Sequence, residues 1–185
     1  MNRTTKLVSP VLFLLLACSI SPPPTQQVTP QTSHPATDVY DGWRLAIQAW
    51  TFSKYTFYEA IEKTAALGLD WIEAYPGQSL SKENPDLKFD DSLSPEFRKE
   101  VKRKLASEGL RLVNYGVVNL PNDEVECRKV FDFAKDMGIE TITSEPPEDA
   151  FDLVDRLCRE YGISVSIHNH PKPSYYWSPD KILEV

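Results

Sequence analysis

Four times along the chain, a run with apolar residues at helical spacing stops at a glycine and a strand-like apolar run begins at the next residue: Gly68-Leu69, Gly109-Leu110, Gly138-Ile139 and Gly162-Ile163. Glycine suits that junction because the residue closing a helix often takes a left-handed backbone, which costs glycine no Cβ clash. The helices ahead of the junctions each carry one apolar stripe at the 3.6-residue period. The stripes are Phe57, Ile61 and Ala65; Phe97, Val101 and Leu105; Val130, Phe131, Ala134 and Met137; and Phe151, Val154, Leu157, Cys158 and Tyr161. Two helices also carry start signals: Thr56 with Glu59 forms a capping box, and Ser94-Pro95 supplies an N-cap followed by proline at the first helical position. Strands are expected over 45–52, 69–75, 110–118, 139–145 and 163–170.

Strict alternation of strand and helix predicts a parallel sheet with right-handed crossovers. The strands' own patterning selects between an open doubly wound sheet and a closed barrel. Val165 and Ile167 alternate with Ser164, Ser166, His168 and His170, and Ile142 alternates with Thr141, Thr143 and Glu145. One face is oily and the other is small and polar. A doubly wound sheet wants both faces oily, whereas a barrel wall turns one face to its helices and the other to a narrow interior. The expected fold is therefore α/β, a partial (β/α)8 TIM barrel with about five βα units, outer helices and parallel strands.

The first 39 residues follow a different pattern. Arg3 and Lys6 precede a short apolar run, Val11 to Ala17, too brief to span a membrane and typical of an export signal. Leu15-Leu16-Ala17-Cys18 resembles the lipobox of bacterial lipoproteins, which implies lipidation of Cys18 and a membrane anchor. Residues 18–39 are rich in Ser, Thr, Gln and Pro and read as a tether. The expected organisation is a signal peptide over 1–17, a lipidated cysteine and tether over 18–39, and a barrel domain over 40–185, exported and held on a bacterial membrane. A net charge of -7, spread through the helices, argues against nucleic acid as a partner. Cys127 and Cys158 fall on successive helices and are expected to be buried thiols without a bridge.

Polar side chains gather where the expected strands end: Gln48, Trp50, Glu73, Tyr75, Asn114, Glu145, His168, Asn169 and His170. The carboxyl-terminal rim of a barrel is where catalysis is built. His168 and His170 stand two apart on a strand and so project to one face. With Glu145 at matching height on the neighbouring strand, they form a candidate divalent metal site of mixed nitrogen and oxygen ligands. His34, isolated in the tether, receives no role.

Leu45-Ala46-Ile47-Gln48-Ala49-Trp50, Gly68-Leu69-Asp70-Trp71-Ile72-Glu73, Thr143-Ser144-Glu145-Pro146-Pro147 and Ile167-His168-Asn169-His170-Pro171, in that order, resemble the sugar phosphate isomerase/epimerase family with xylose-isomerase-like barrels. The resemblance runs from Arg44 to Val185. It implies a divalent metal (manganese, magnesium, cobalt or zinc), a small sugar or keto-sugar as substrate, and proton transfer next to a carbonyl through an enediol. By that resemblance Glu145, His168 and His170 are metal ligands, Glu145 and His170 catalytic groups, and Gln48, Trp50, Glu73, Tyr75 and Asn169 substrate contacts. His168 stands where many relatives place the first metal-binding glutamate.

Ser178-Pro179 opens one further helical turn, Lys181 to Val185, and no strand follows it. The resemblance then implies a fragment lacking three strands and their metal ligands, with little activity and, because its strand edges are unpaired, a tendency to pair with other copies. Two sibling readings stay open. One is a keto-glycoside lyase or hydratase on the same barrel; the other is a lipid-anchored sugar-binding protein without catalysis. An apurinic endonuclease shares the barrel, but acidic charge argues against a DNA substrate.

Overall fold

The computed structural model describes residues 42–184; the expected signal peptide, Cys18 and the whole of the tether lie outside them. Strands β1 (Ala46–Gln48), β2 (Trp71–Ala74), β5 (Arg111–Val118), β6 (Thr141–Ser144) and β7 (Ser164–Ile167) form one parallel sheet in the order β1-β2-β5-β6-β7. A hairpin, β3 (Gln78–Ser79) with β4 (Lys88–Phe89), interrupts the second unit. Helices α1 (Phe57–Ala66), α2 (Pro95–Ser107), α3 (Glu124–Met137) and α4 (Phe151–Tyr161) follow the strands, and α5 (Pro179–Leu183) comes last. Each sheet strand neighbours the next in sequence, with no reversal of order. A doubly wound sheet reverses at a switch point, whereas a barrel wall steps in one direction.

Local chemistry explains the helix boundaries. Thr56 and Glu59 close the capping box, and Asp123 accepts hydrogen bonds from the Val125 and Glu126 amides at the start of α3. Gly138 and Gly162 cap α3 and α4 at φ 74° and 66°, a conformation in which a Cβ is strained. Ser94 occupies the expected cap of α2, but its side chain makes no capping bond.

The register sorts the two faces of the sheet. Ile47, Ile72 and Leu112 align across three strands, and Ala74, Tyr115, Ile142 and Val165 align across four. This oily face meets Phe57, Ile61, Phe131 and Leu157 of the helices in one core. On the opposite face, Gln48, Glu73, Asn114, Thr141 and Ser164 form a row crossing all five strands, and Gly116, Thr143 and Ser166 form the next. Two contacts show that this polar face is concave. The Gln48 amide reaches over β2 to donate to the Gly116 carbonyl at 3.3 Å, and the Thr143 hydroxyl reaches over β5 to Glu73 at 3.4 Å. Strands two apart in a flat sheet lie roughly 9.6 Å from each other. Only a sheet curled toward its polar side lets these side chains meet.

Several expected boundaries move. The first strand stops at Gln48 instead of running to Phe52, because the Gln48 side-chain carbonyl accepts the Trp50 amide and turns Ala49–Phe52 into a 3-10 helix. The fifth sheet strand ends at Ile167, although the His168 amide still donates to the Ser144 carbonyl at 2.8 Å. The last helix begins at Pro179, two residues before Lys181. Both described cysteines are free, but only Cys127 is fully buried; Cys158 is half-buried. Nothing in the sequence signals the hairpin, since two-residue strands carry no readable period. It delivers Phe89 into the core, stacked on Phe57 at 4.2 Å and edge-on to Phe133 and Tyr115. Among the described residues no helix is long and apolar enough to cross a membrane.

Candidate functional site

The concave face opens at the carboxyl ends of its strands into a cleft of about 660 Å³, within the size range of small-molecule sites. Gln48, Trp50, Glu73, Tyr75, His168 and His170 all line it. Three of the five strands, β1, β2 and β7, therefore contribute side chains singled out in the sequence, on the strand or just past its end, and β5 and β6 add Gly116 and Thr143. Trp50 is 65% exposed and meets Tyr75 edge-to-face with ring centroids 4.9 Å apart. Asn169 is exposed and is not part of the lining.

Glu73 sits half-buried on the floor. Burial, the largest influence, raises its pKa, and hydrogen bonds from Thr143 and Asn114 offset part of that rise. The carboxyl is thus able to hold a proton more tightly than a solvated glutamate does.

At the rim, Glu145, His168 and His170 converge, with one ligating atom of each lying within 4.8 Å of the others. His170 Nδ1 makes a close hydrogen bond with Glu145 Oε1, and the Ser174 hydroxyl donates to Oε2 at 2.7 Å. The two imidazole rings lie 4.5 Å apart at 72°. Burial pushes the Glu145 carboxyl upward, but the Ser174 and His170 hydrogen bonds and the two imidazoles outweigh it, leaving the pKa lowered and the group ionised. Two nitrogens and a carboxylate oxygen at this spacing fit a borderline divalent cation.

The loop after β7 is held down beside this cluster. Tyr176, 1% exposed, donates its hydroxyl to the Pro146 carbonyl, and its amide donates to Ser174 Oγ at 3.2 Å. Ser174 is thereby fixed where it meets Glu145. Nothing in the sequence marks Ser174. Gly116 was missed too, although a glycine inside an apolar strand signals close approach. A Cβ there would stand 2.3 Å from the Thr143 carbonyl oxygen, so a hydrogen atom alone fits.

No protein-family model and no curated protein matches the chain. Solved structures do match. An uncharacterized protein from Parabacteroides distasonis ATCC 8503 is 31% identical with a TM-score of 0.65, over 70% of this chain and 54% of that one. A D-psicose 3-epimerase crystallised in the presence of D-fructose is 15% identical with a TM-score of 0.52, over 71% and 54%. A xylose isomerase domain containing protein from Salmonella typhimurium LT2 is 16% identical with a TM-score of 0.53, over 76% and 56%. The chain has the fold of these structures, a five-stranded parallel sheet that matches part of a TIM barrel. It spans just over half the length of these three structures. In such a barrel the cleft described here lies at the carboxyl-terminal face, where active sites occur.

Proposed function

We propose that the cleft binds a sugar or keto-sugar and belongs to a metal-dependent isomerase or epimerase that moves a proton next to the carbonyl through an enediol. The observation that carries this reading is the convergence of Glu145, His168 and His170 at the strand ends, with both imidazoles lining the cleft that Glu73 also lines. A divalent cation held by those three residues supplies Lewis acidity toward a sugar carbonyl.

The chain's own residues divide the remaining work. Glu145 stays ionised and is aimed by Ser174 and His170, so it orients charge and hydroxyl groups at the rim. Glu73, whose burial makes it hold a proton more tightly than a solvated glutamate, takes up and returns the proton. Two carboxyls pushed in opposite directions by their surroundings are the usual mark of divided acid and base roles. Gln48 and Trp50 present an amide and an aromatic face, which suit sugar hydroxyls and the apolar face of a pyranose.

Titrating Mn²⁺ into the full chain by calorimetry tests the ligand assignment. One bound cation is expected, weakened at least tenfold by His168→Ala, in the range seen when metal-site groups are removed. Incubating D-fructose or D-psicose in deuterated water with Mn²⁺ then tests the chemistry. Deuterium at the carbon beside the carbonyl supports proton transfer, and release of an aglycone from a keto-glycoside supports elimination. Sugar binding that ignores the cation and leaves carbon-bound hydrogen in place would establish a binding module instead.

A further inference from the structure

The cleft has a neighbour. A second hollow, of about 460 Å³, shares Tyr75 with it as a common wall. Trp50 and Thr51 line the cleft, and the next residues of the same segment, Ser53 to Thr56, line the hollow. We propose that this hollow is a second sugar subsite, so that the substrate is a glycoside or disaccharide whose reacting unit occupies the cleft. The inference rests on the sugar reading of that cleft.

The lining has the chemistry that a neutral carbohydrate needs. Tyr55, 46% exposed, offers a ring that Lys63 backs at 4.1 Å. Aromatic faces with one side covered and the other open suit the C–H face of a pyranose. Around it stand the exposed Lys54, the Glu59–Lys82 ion pair at 2.7 Å, and the amide of Gln78. Sugar hydroxyls both donate and accept, and this mixture answers both.

The wall is also fixed before any ligand arrives. Gln78 is 2% exposed, and its Nε2 donates to the carbonyls of Phe52 at 3.4 Å and Tyr55 at 3.1 Å, locking the segment that carries Lys54 and Tyr55. Those two bonds set the amide's orientation and leave Oε1 without a donor among the described residues. A buried acceptor without a partner is costly, so this wall of the hollow carries one unmet demand for a donor. A phosphate is the weaker occupant. The Lys82 charge is already answered by Glu59, and the Glu59 carboxylate, its pKa held down to about 2 first by the Lys82 hydrogen bond, would repel a second anion.

The test is calorimetric, on the full chain with Mn²⁺. Glucose, glucose 6-phosphate, and the disaccharides cellobiose, maltose, trehalose and lactose are titrated into wild type, Tyr55→Ala and Lys54→Ala. At least one disaccharide is expected to bind roughly tenfold tighter than glucose, the equivalent of one well-made contact. Tyr55→Ala should erase that advantage and leave glucose binding unchanged; Lys54→Ala, at an exposed position, should reduce it in part. Equal affinity for glucose and all four disaccharides overturns the second subsite while leaving the cleft reading intact. Glucose 6-phosphate binding tighter than any disaccharide also overturns it. No binding of any sugar sinks the subsite and the cleft reading together.

Discussion

At the residue scale, Glu73 concentrates the tension between folding and chemistry. Its folded pKa is raised above the ordinary value of 4.5, so the native state holds this proton more tightly than the unfolded chain does. The penalty is absent below pH 4.5, where both states are protonated, and grows as pH rises toward the elevated folded value. Glu73→Gln is therefore expected to raise the melting temperature at pH 7 and to leave it unchanged at pH 4. A gain that persists at pH 4 would mean that packing, and not ionisation, is responsible. The same variant should abolish deuterium incorporation into a ketose while retaining Mn²⁺ binding, because Glu73 is not among the three converging ligands.

At the element scale, the β3–β4 hairpin is the least conspicuous piece of sequence and one of the most committed pieces of structure. Phe89 is fully buried against Phe57, Tyr115 and Phe133. Phe89→Ala should cost about 3–5 kcal/mol, measured by urea unfolding, the usual range for emptying an aromatic site in a core. The hairpin also carries Gln78, so its loss would loosen the hollow beside the cleft before the cluster at Glu145. The sequence revealed the repeating βα units because glycine junctions and apolar stripes are local signals that recur. It revealed Gln48, Glu73, His168 and His170 because a two-residue period sends such side chains to one face. It did not reveal Ser174 or the fit of Gly116 against Thr143. Those depend on how far the sheet curls and on where a loop is pinned, and neither is written in any single segment.

At the scale of the whole molecule, the described sheet has two ends. β1 pairs with β2 alone and β7 with β6 alone, and Ser164 and Ser166 on β7 are exposed. Unpaired strand edges recruit other chains, and lysine on such an edge discourages it. The full chain is expected to sediment as a mixture of sizes that shifts upward with concentration. The double change Ser164→Lys and Ser166→Lys should move that distribution toward the monomer. A single monomeric species at every concentration would show that the edges are protected in solution.

The side chains that reach across an intervening strand have one more consequence. Because Thr143 of β6 touches Glu73 of β2, the acidity of the floor carboxyl can be adjusted from a strand that is not its neighbour, by trading one hydroxyl for a methyl. Evolution, or a protein engineer, thus has a dial for proton affinity that leaves the rim imidazoles alone. Its setting is read out in the pH at which the Glu73 carboxyl titrates.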